Sequence, residues 1–320
     1  MRVVYYALGG GHGHVVRGLA VLSRLGSGVV ILPARLAAWA EAAGVEHIAV
    51  TDPRDPAWLA RVPAADLMLV DVFPRGVVGE LAPPPRTPMW LVTRRVATGY
   101  YLDPGVRAAI ESRYERIVWT EEPPAPLAAL RVPALRVPPV LLDPAPLDRG
   151  EARARLGVTG DRPLVLALGA GDPDRQARLC GLLGKIARRA GAALRFVSDE
   201  LAEAPDVVRL FPAAAWLPAA DVVVAAGGYH AVHDIRKAGV PAVFVPQRRR
   251  YDDQAWRVRG EIVATNPAAL EAAVRALLGR RTSVEERKDR SGPIGTPLGQ
   301  LIERRVQLGV LPEEEVAAMA

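Results

Sequence analysis

The chain is predicted to be an α/β protein of two domains, each built on a parallel sheet. Three observations carry that expectation. Short apolar runs alternate with stretches of helical apolar spacing along most of the chain. The runs are apolar throughout, as in strands covered by helices on both faces. At 320 residues the chain also exceeds what one hydrophobic core usually serves.

In the first half RVVYYAL passes through GGGHGH (9–14) into the helix pattern HVVRGLAVLSRL, and GVVIL passes into ARLAAWAEAAG. HIAV, DLMLVDV, PMWLVTR and RIVWT are read as the remaining strands. Next comes a stretch with Pro138, Pro139, Pro144 and Pro146, residues that favour extended backbone and oppose helix. It places a linker at about 138–148 and divides the chain into domains 1–143 and 144–320. The second half repeats the scheme: PLVLALG before DRQARLCGLLGKIARRAG, ALRFVSD, DVVVAAGG before YHAVHDIRKAG, PAVFVP, and EIVAT before PAALEAAVRALLG. Gly239 reads as a helix C-cap. After Gly279 a polar, glycine- and proline-containing connection is expected, then a final helix over Leu298–Val306 that packs back on the first domain, and an acid-started helical end, PEEEVAAMA.

Half of the residues are hydrophobic and 24% are charged, the balance of a core-forming chain. The apolar runs are far shorter than the roughly 20 residues that cross a bilayer. MRVVYYALGG reads as a first strand and not as a signal peptide, so a cytoplasmic location is expected. Cys180, alone in an apolar helix pattern, reads as a small core residue. The net charge of +6 comes from 41 basic residues, of which only Lys185, Lys237 and Lys288 are lysines, mixed with 35 acids. That mixture argues against a nucleic-acid partner. A mild basic excess still suits an anionic ligand such as a nucleotide diphosphate, or loose attraction to an anionic membrane surface.

Three glycine loops sit where strands turn into helices: GGGHGH, GAGD at 169–172, and Gly227–Gly228. In open parallel sheets such turns bind ligands, because glycine lets backbone approach closely and the helix N-terminus attracts anions. A cleft between the two sheets would be lined by all three. GGGHGH lacks the dinucleotide-binding glycine spacing, Pro33 stands where an acid would end the second strand, and no GK[ST] follows. Hydride transfer and ATP hydrolysis both lose support. His14 stands at the helix start, where the dipole favours a neutral imidazole able to accept a proton, and Arg17 lies one helical turn on. His12 has no assigned role. In AAGGYHAVHDIRKAGVPAVFVPQRRRYDDQAWR (225–257) a helix opens at Tyr229 after Gly228, and His230 and Asp234 share one of its faces. A carboxylate so placed can accept both ribose hydroxyls.

Together these stretches resemble the GT-B glycosyltransferases, and within them the lipid-linked N-acetylglucosaminyltransferase of peptidoglycan synthesis. The likeness implies two Rossmann-like domains facing across a cleft: an N-terminal acceptor domain and a C-terminal donor domain. It carries the family's histidine role onto His14 and the loop-glycine role onto Gly228. Asp234 stands in the place of a ribose-binding glutamate, and Asp253 and Gln254 fall in the donor-sugar segment. Gly11, Gly13, Arg17, Gly171, Gly227, Tyr229 and His230 complete the expected donor-binding set. QRRRYDDQ departs from the family in its run of arginines, Arg248 to Arg250, one of which could neutralise a diphosphate. The GHVVR version of the first loop also resembles the nucleotide-sugar hydrolase of the pseudaminic acid pathway.

The resulting expectation is transfer of a hexose or N-acetylhexosamine from a nucleotide diphosphate sugar, with UDP the expected carrier, to a sugar or lipid-linked hydroxyl acceptor. His14 is the expected general base and Asp103, in GYYLDPG, its reserve; Arg94 and Arg95 could meet an anionic acceptor. No cofactor is expected, since the nucleotide sugar is a substrate, and no metal, since no DxD-type pair ends a strand. A lipid-linked acceptor would bring the protein to the inner face of the membrane. Hydrolysis of a nucleotide sugar, and binding of one without chemistry, are the alternatives.

Overall fold

A computed structural model describes residues 1–81 and 87–280. The expected final helix at 298–306 and the acidic end lie outside those residues. The chain divides into two units. The first takes Met1–Leu142 with Arg250–Asp252, and the second Asp143–Arg249 with the described residues from Asp253 on.

The first unit contains β1 (Val3–Tyr6), α1 (His12–Leu25), β2 (Val29–Pro33), α2 (Ala37–Ala42), β3 (Glu46–Val50), β4 (Leu67–Asp71), β5 (Met89–Thr93), α3 (Thr98–Tyr101), α4 (Pro104–Arg113), β6 (Arg116–Trp119) and β7 (Ala134–Arg136). Its seven strands lie in the order β3-β2-β1-β4-β5-β6-β7, every pair parallel. β4 and β5 are buried at every position, as strands of a parallel sheet covered on both faces should be, and each closes its apolar run with a polar residue, Asp71 and Thr93. Val15, Leu19 and Leu22 form the buried stripe of α1, and each buried leucine contributes about 1.5–3 kcal/mol. Gly18 lets α1 sit close on β1, since a Cβ there would lie 2.9 Å from the Tyr5 ring. Gly26, at φ 67°, ends the helix.

The second unit contains α5 (Arg149–Arg155), β8 (Leu164–Leu168), α6 (Pro173–Arg189), β9 (Ala193–Val197), β10 (Val207–Val208), β11 (Val222–Ala225), α7 (Tyr229–Ala238), β12 (Ala242–Phe244), α8 (Gln254–Arg257) and α9 (Pro267–Gly279). Its sheet runs β10-β9-β8-β11-β12, again all parallel. Gly239, at φ 63°, caps α7 as expected.

Three details differ from the sequence reading. β7 forms within a proline-bearing stretch, at the sheet edge where missing N–H donors are tolerated. β10 is two residues long, too short to leave a periodic signal. EIVAT makes one isolated bridge, Val263 to Phe244, instead of a full strand.

In both sheets the chain reverses its winding direction at one place, between β1 and β4 and between β8 and β11. Ligands bind open parallel sheets at the carboxyl ends of the strands flanking such a reversal. GGGHGH follows β1, GAGD follows β8, and Gly227–Gly228 follows β11. The fourth flanking strand, β4, ends in Asp71.

Candidate functional site

Helix capping distinguishes two of these turns, those into α1 and α7, from the turn into α6. Asp103, Asp148, Asp172, Asp253 and Asn266 cap α4, α5, α6, α8 and α9, each side chain accepting a backbone N–H of the first turn. α1 and α7 are capped instead by Gly11 and Gly228, which bring no side chain.

At the first turn α1 starts at His12, so that Gly13 and His14 lie inside its first turn. His14 is 7% exposed, and its Nδ1 stands 3.1 Å from Oδ2 of Asp71. Arg17, one turn further, donates from Nε to Oδ1 and from Nη2 to Oδ2 of the same carboxylate, both at 3.1 Å. Burial alone would push the Asp71 carboxyl up, but the Arg17 guanidinium and the His14 ring together hold it below its ordinary value. A carboxylate only accepts, so His14 donates its Nδ1–H and the lone pair is left on Nε2. Gly9 makes room for the ring: a Cβ there would lie 2.7 Å from Nε2.

The residue after Asp71 is strained. Val72 has φ 66°, a left-handed conformation that costs a β-branched residue about 1–3 kcal/mol. It is held by its N–H on the Val92 carbonyl and by the Tyr101 hydroxyl, which donates to its carbonyl at 2.7 Å. Phe73 follows, its ring centroid 5.4 Å from that of His14. Tyr100 and Tyr251 pack on Phe73, and Asp252 accepts from Arg94 at 2.7 Å. A separate cavity of about 320 Å³ beyond β3, lined by Asp52, Asp55, Trp58 and Arg61 among others, takes in none of the expected site residues.

In the second unit Gly171, at φ 99°, is braced from behind: buried Gln176 donates to its carbonyl at 2.9 Å, and Gln247 donates to that of Ala170 at 2.9 Å. Gly227 is pressed against α8, where a Cβ would lie 2.9 Å from Gln254. Gly228 faces open space, and Tyr229 is buried with its ring edge-on to those of His230 and His233. Burial pushes the Asp234 carboxyl up to about 7, against the pull of Lys237 and with Asp143 adding to the rise. Lys237 is ion-paired with Asp143.

Solved structures with the same architecture are found along nearly the whole chain. The spinosyn rhamnosyltransferase SpnG, complexed with thymidine diphosphate, aligns at TM-score 0.60 and 18% identity, covering 95% of this chain and 99% of that one. The calicheamicin glycosyltransferase CalG4 aligns at TM-score 0.59 and 18% identity, over 97% and 99% of the two chains. The Streptomyces sp. SF2575 glycosyltransferase SsfS6, also complexed with thymidine diphosphate, aligns at TM-score 0.58 and 17% identity, over 95% and 99%. The chain has the GT-B fold. No protein-family model matches it, and comparison with curated proteins finds no match. Among the described residues of this GT-B chain, no helix is long and apolar enough to cross a membrane.

Within the GT-B frame several expected site residues take other places. Arg17, expected at the donor, is 1% exposed and grips Asp71. Asp103, the reserve base, is a helix cap whose Oδ1 accepts from Gly105 and Val106. Gln254 is buried, its Oε1 held by the Gln247 N–H at 2.8 Å, and so braces the loop from inside where donor-sugar contact was expected. Asp253 accepts the Trp256 N–H as a cap. Arg248 to Arg250 are exposed. His12, left without a role, stacks on Trp39 with ring centroids 4.8 Å apart. The residue at this turn that the sequence reading missed is Asp71, which meets both His14 and Arg17. Its signal was an acid closing an otherwise wholly apolar strand, LMLVD, where a charge is costly unless it is paired.

Proposed function

We propose that this protein is a glycosyltransferase that moves a hexose or N-acetylhexosamine from a nucleotide diphosphate sugar to a hydroxyl acceptor, with His14 as general base and Asp71 as its partner. The observation that carries this is the buried His14–Asp71 contact at the end of β1 and β4. Asp71 holds the proton on Nδ1 and stabilises the imidazolium that forms when Nε2 takes the acceptor proton. Arg17 fixes the carboxylate so that the ring keeps one orientation. The N-terminus of α7, with Gly227 and Gly228, receives the diphosphate, whose charge grows as the glycosidic bond breaks. Asp234 is assigned to the ribose.

SpnG, CalG4 and SsfS6 are named as glycosyltransferases, and SpnG has been solved with thymidine diphosphate and with spinosyn aglycone, which supports a donor and an acceptor here. The motif likeness to the lipid-linked N-acetylglucosaminyltransferase favours UDP and a sugar or lipid-linked acceptor at the membrane face. Incubation with UDP- and TDP-linked sugars, with and without a panel of hydroxyl acceptors, tests the reading. Nucleotide diphosphate released only when an acceptor is present supports transfer. Free sugar released without an acceptor would make the protein a hydrolase, and binding without turnover a nucleotide-sugar binding protein.

A further inference from the structure

Gly227 and Gly228 form a peptide that little in the local sequence constrains, because two consecutive glycines leave most of backbone space open. Something outside the turn has to set it. Arg257, the last residue of α8, is 1% exposed, and its Nη1 donates to the Gly227 carbonyl at 2.8 Å. A trans peptide is planar, with its C=O and N–H pointing opposite ways. A Gly227 carbonyl drawn inward onto Arg257 therefore turns the Gly228 N–H away from Arg257; Gly228 itself is uncrowded, since an added Cβ would meet nothing within 4 Å.

The arginine is itself held in place. Arg236 of α7 donates from Nη2 to the Arg257 carbonyl at 2.8 Å and from Nε to Glu261 at 2.8 Å, which ties the end of α8 to α7. The Tyr229 ring lies 6.0 Å from the guanidinium. Burying a guanidinium carries a large desolvation cost, and apolar replacements of buried ions are often neutral for stability. Stability alone is a weak reason for an arginine here.

We infer that Arg257 is a positioning residue for anion binding: it locks the Gly227–Gly228 peptide so that the Gly228 N–H joins the first turn of α7 in facing a diphosphate, with its own positive charge directly behind. This inference rests on the donor reading above and adds to it the residue that orients the binding peptide.

Calorimetric titration of UDP against uridine, and of TDP against thymidine, on the wild-type protein and on Arg257→Met and Arg257→Lys tests it. Arg257→Met should lose about tenfold or more in diphosphate affinity, the worth of a charge-assisted hydrogen bond, while nucleoside affinity stays within about twofold. Arg257→Lys, which keeps the charge but loses the planar fork, should lose less; if circular dichroism shows Arg257→Met unfolded, the comparison is read on the lysine variant. An unchanged ratio of diphosphate to nucleoside affinity overturns the inference, and so does an equal fall in both affinities. A wild-type protein that binds neither UDP nor TDP overturns the donor reading itself, and a wild type that binds with unaltered phosphate preference in the variants overturns only the role of Arg257.

Discussion

The turn from β1 into α1 and the turn from β11 into α7 are built alike, yet they lie over buried charges of opposite sign. Each follows a strand flanking the reversal of its sheet, and each is capped by glycine with no side chain. Beneath the first is Asp71, which holds a histidine; beneath the second is Arg257, which holds a carbonyl. In the function proposed above, the same backbone device would serve proton transfer in one unit and anion binding in the other. A buried acid fixes which imidazole nitrogen carries the proton, whereas a buried cation turns N–H groups outward and favours negative charge.

If that contrast holds, substitutions at the first turn should change turnover and leave donor affinity intact, and those at the second should do the reverse. The greatest effect is expected from His14→Ala or Asp71→Asn, each lowering kcat by about 10²–10⁴-fold with the Kd for UDP within twofold. A parallel rise in Kd would place His14 at the donor instead. Gly9→Ala follows: its Cβ, 2.7 Å from Nε2, should displace the ring and lower kcat by up to about 100-fold in steady-state assays. Gly227→Ala should do the opposite, raising the donor KM several-fold and costing about 1–3 kcal/mol in urea unfolding as it wedges against Gln254 and Val258.

Asp234 gives a pH signature. Its folded carboxyl titrates near 7, above its ordinary value, so between about pH 4 and 7 the folded state binds more protons than the unfolded one and stability falls as pH rises. Asp234→Asn should remove that slope, matching wild type near pH 4 and exceeding it at pH 8 by no more than about 4 kcal/mol in thermal unfolding. The smallest effect belongs to His12→Ala, which loses a ring stack on Trp39 worth about 0.5–1.5 kcal/mol and should leave kcat within twofold.

Much of the frame was legible along the chain. β1, α1, β11 and α7 were readable because apolar period and glycine punctuation are local signals, and Gly239 was readable as a cap for the same reason. His14 stood out because histidine at a glycine-rich helix start has few structural uses. Gln254 and Arg17 were assigned to the donor because motif position says nothing of which way a side chain turns once it is packed. Asp103 carried a proline and a glycine after it, the mark of a helix cap, which is what it became.

From residue order alone came the alternation of strand and helix, the glycine turns, and the histidine worth mutating, since each depends on neighbours within a few positions. Folding in three dimensions settled which charge lies beneath each turn. Asp71 meets His14 across 57 positions because β4 pairs with β1, and Arg257 meets Gly227 across 30 because α8 packs back under the second turn. Strand order and packing, which no local period encodes, bring those charges into contact.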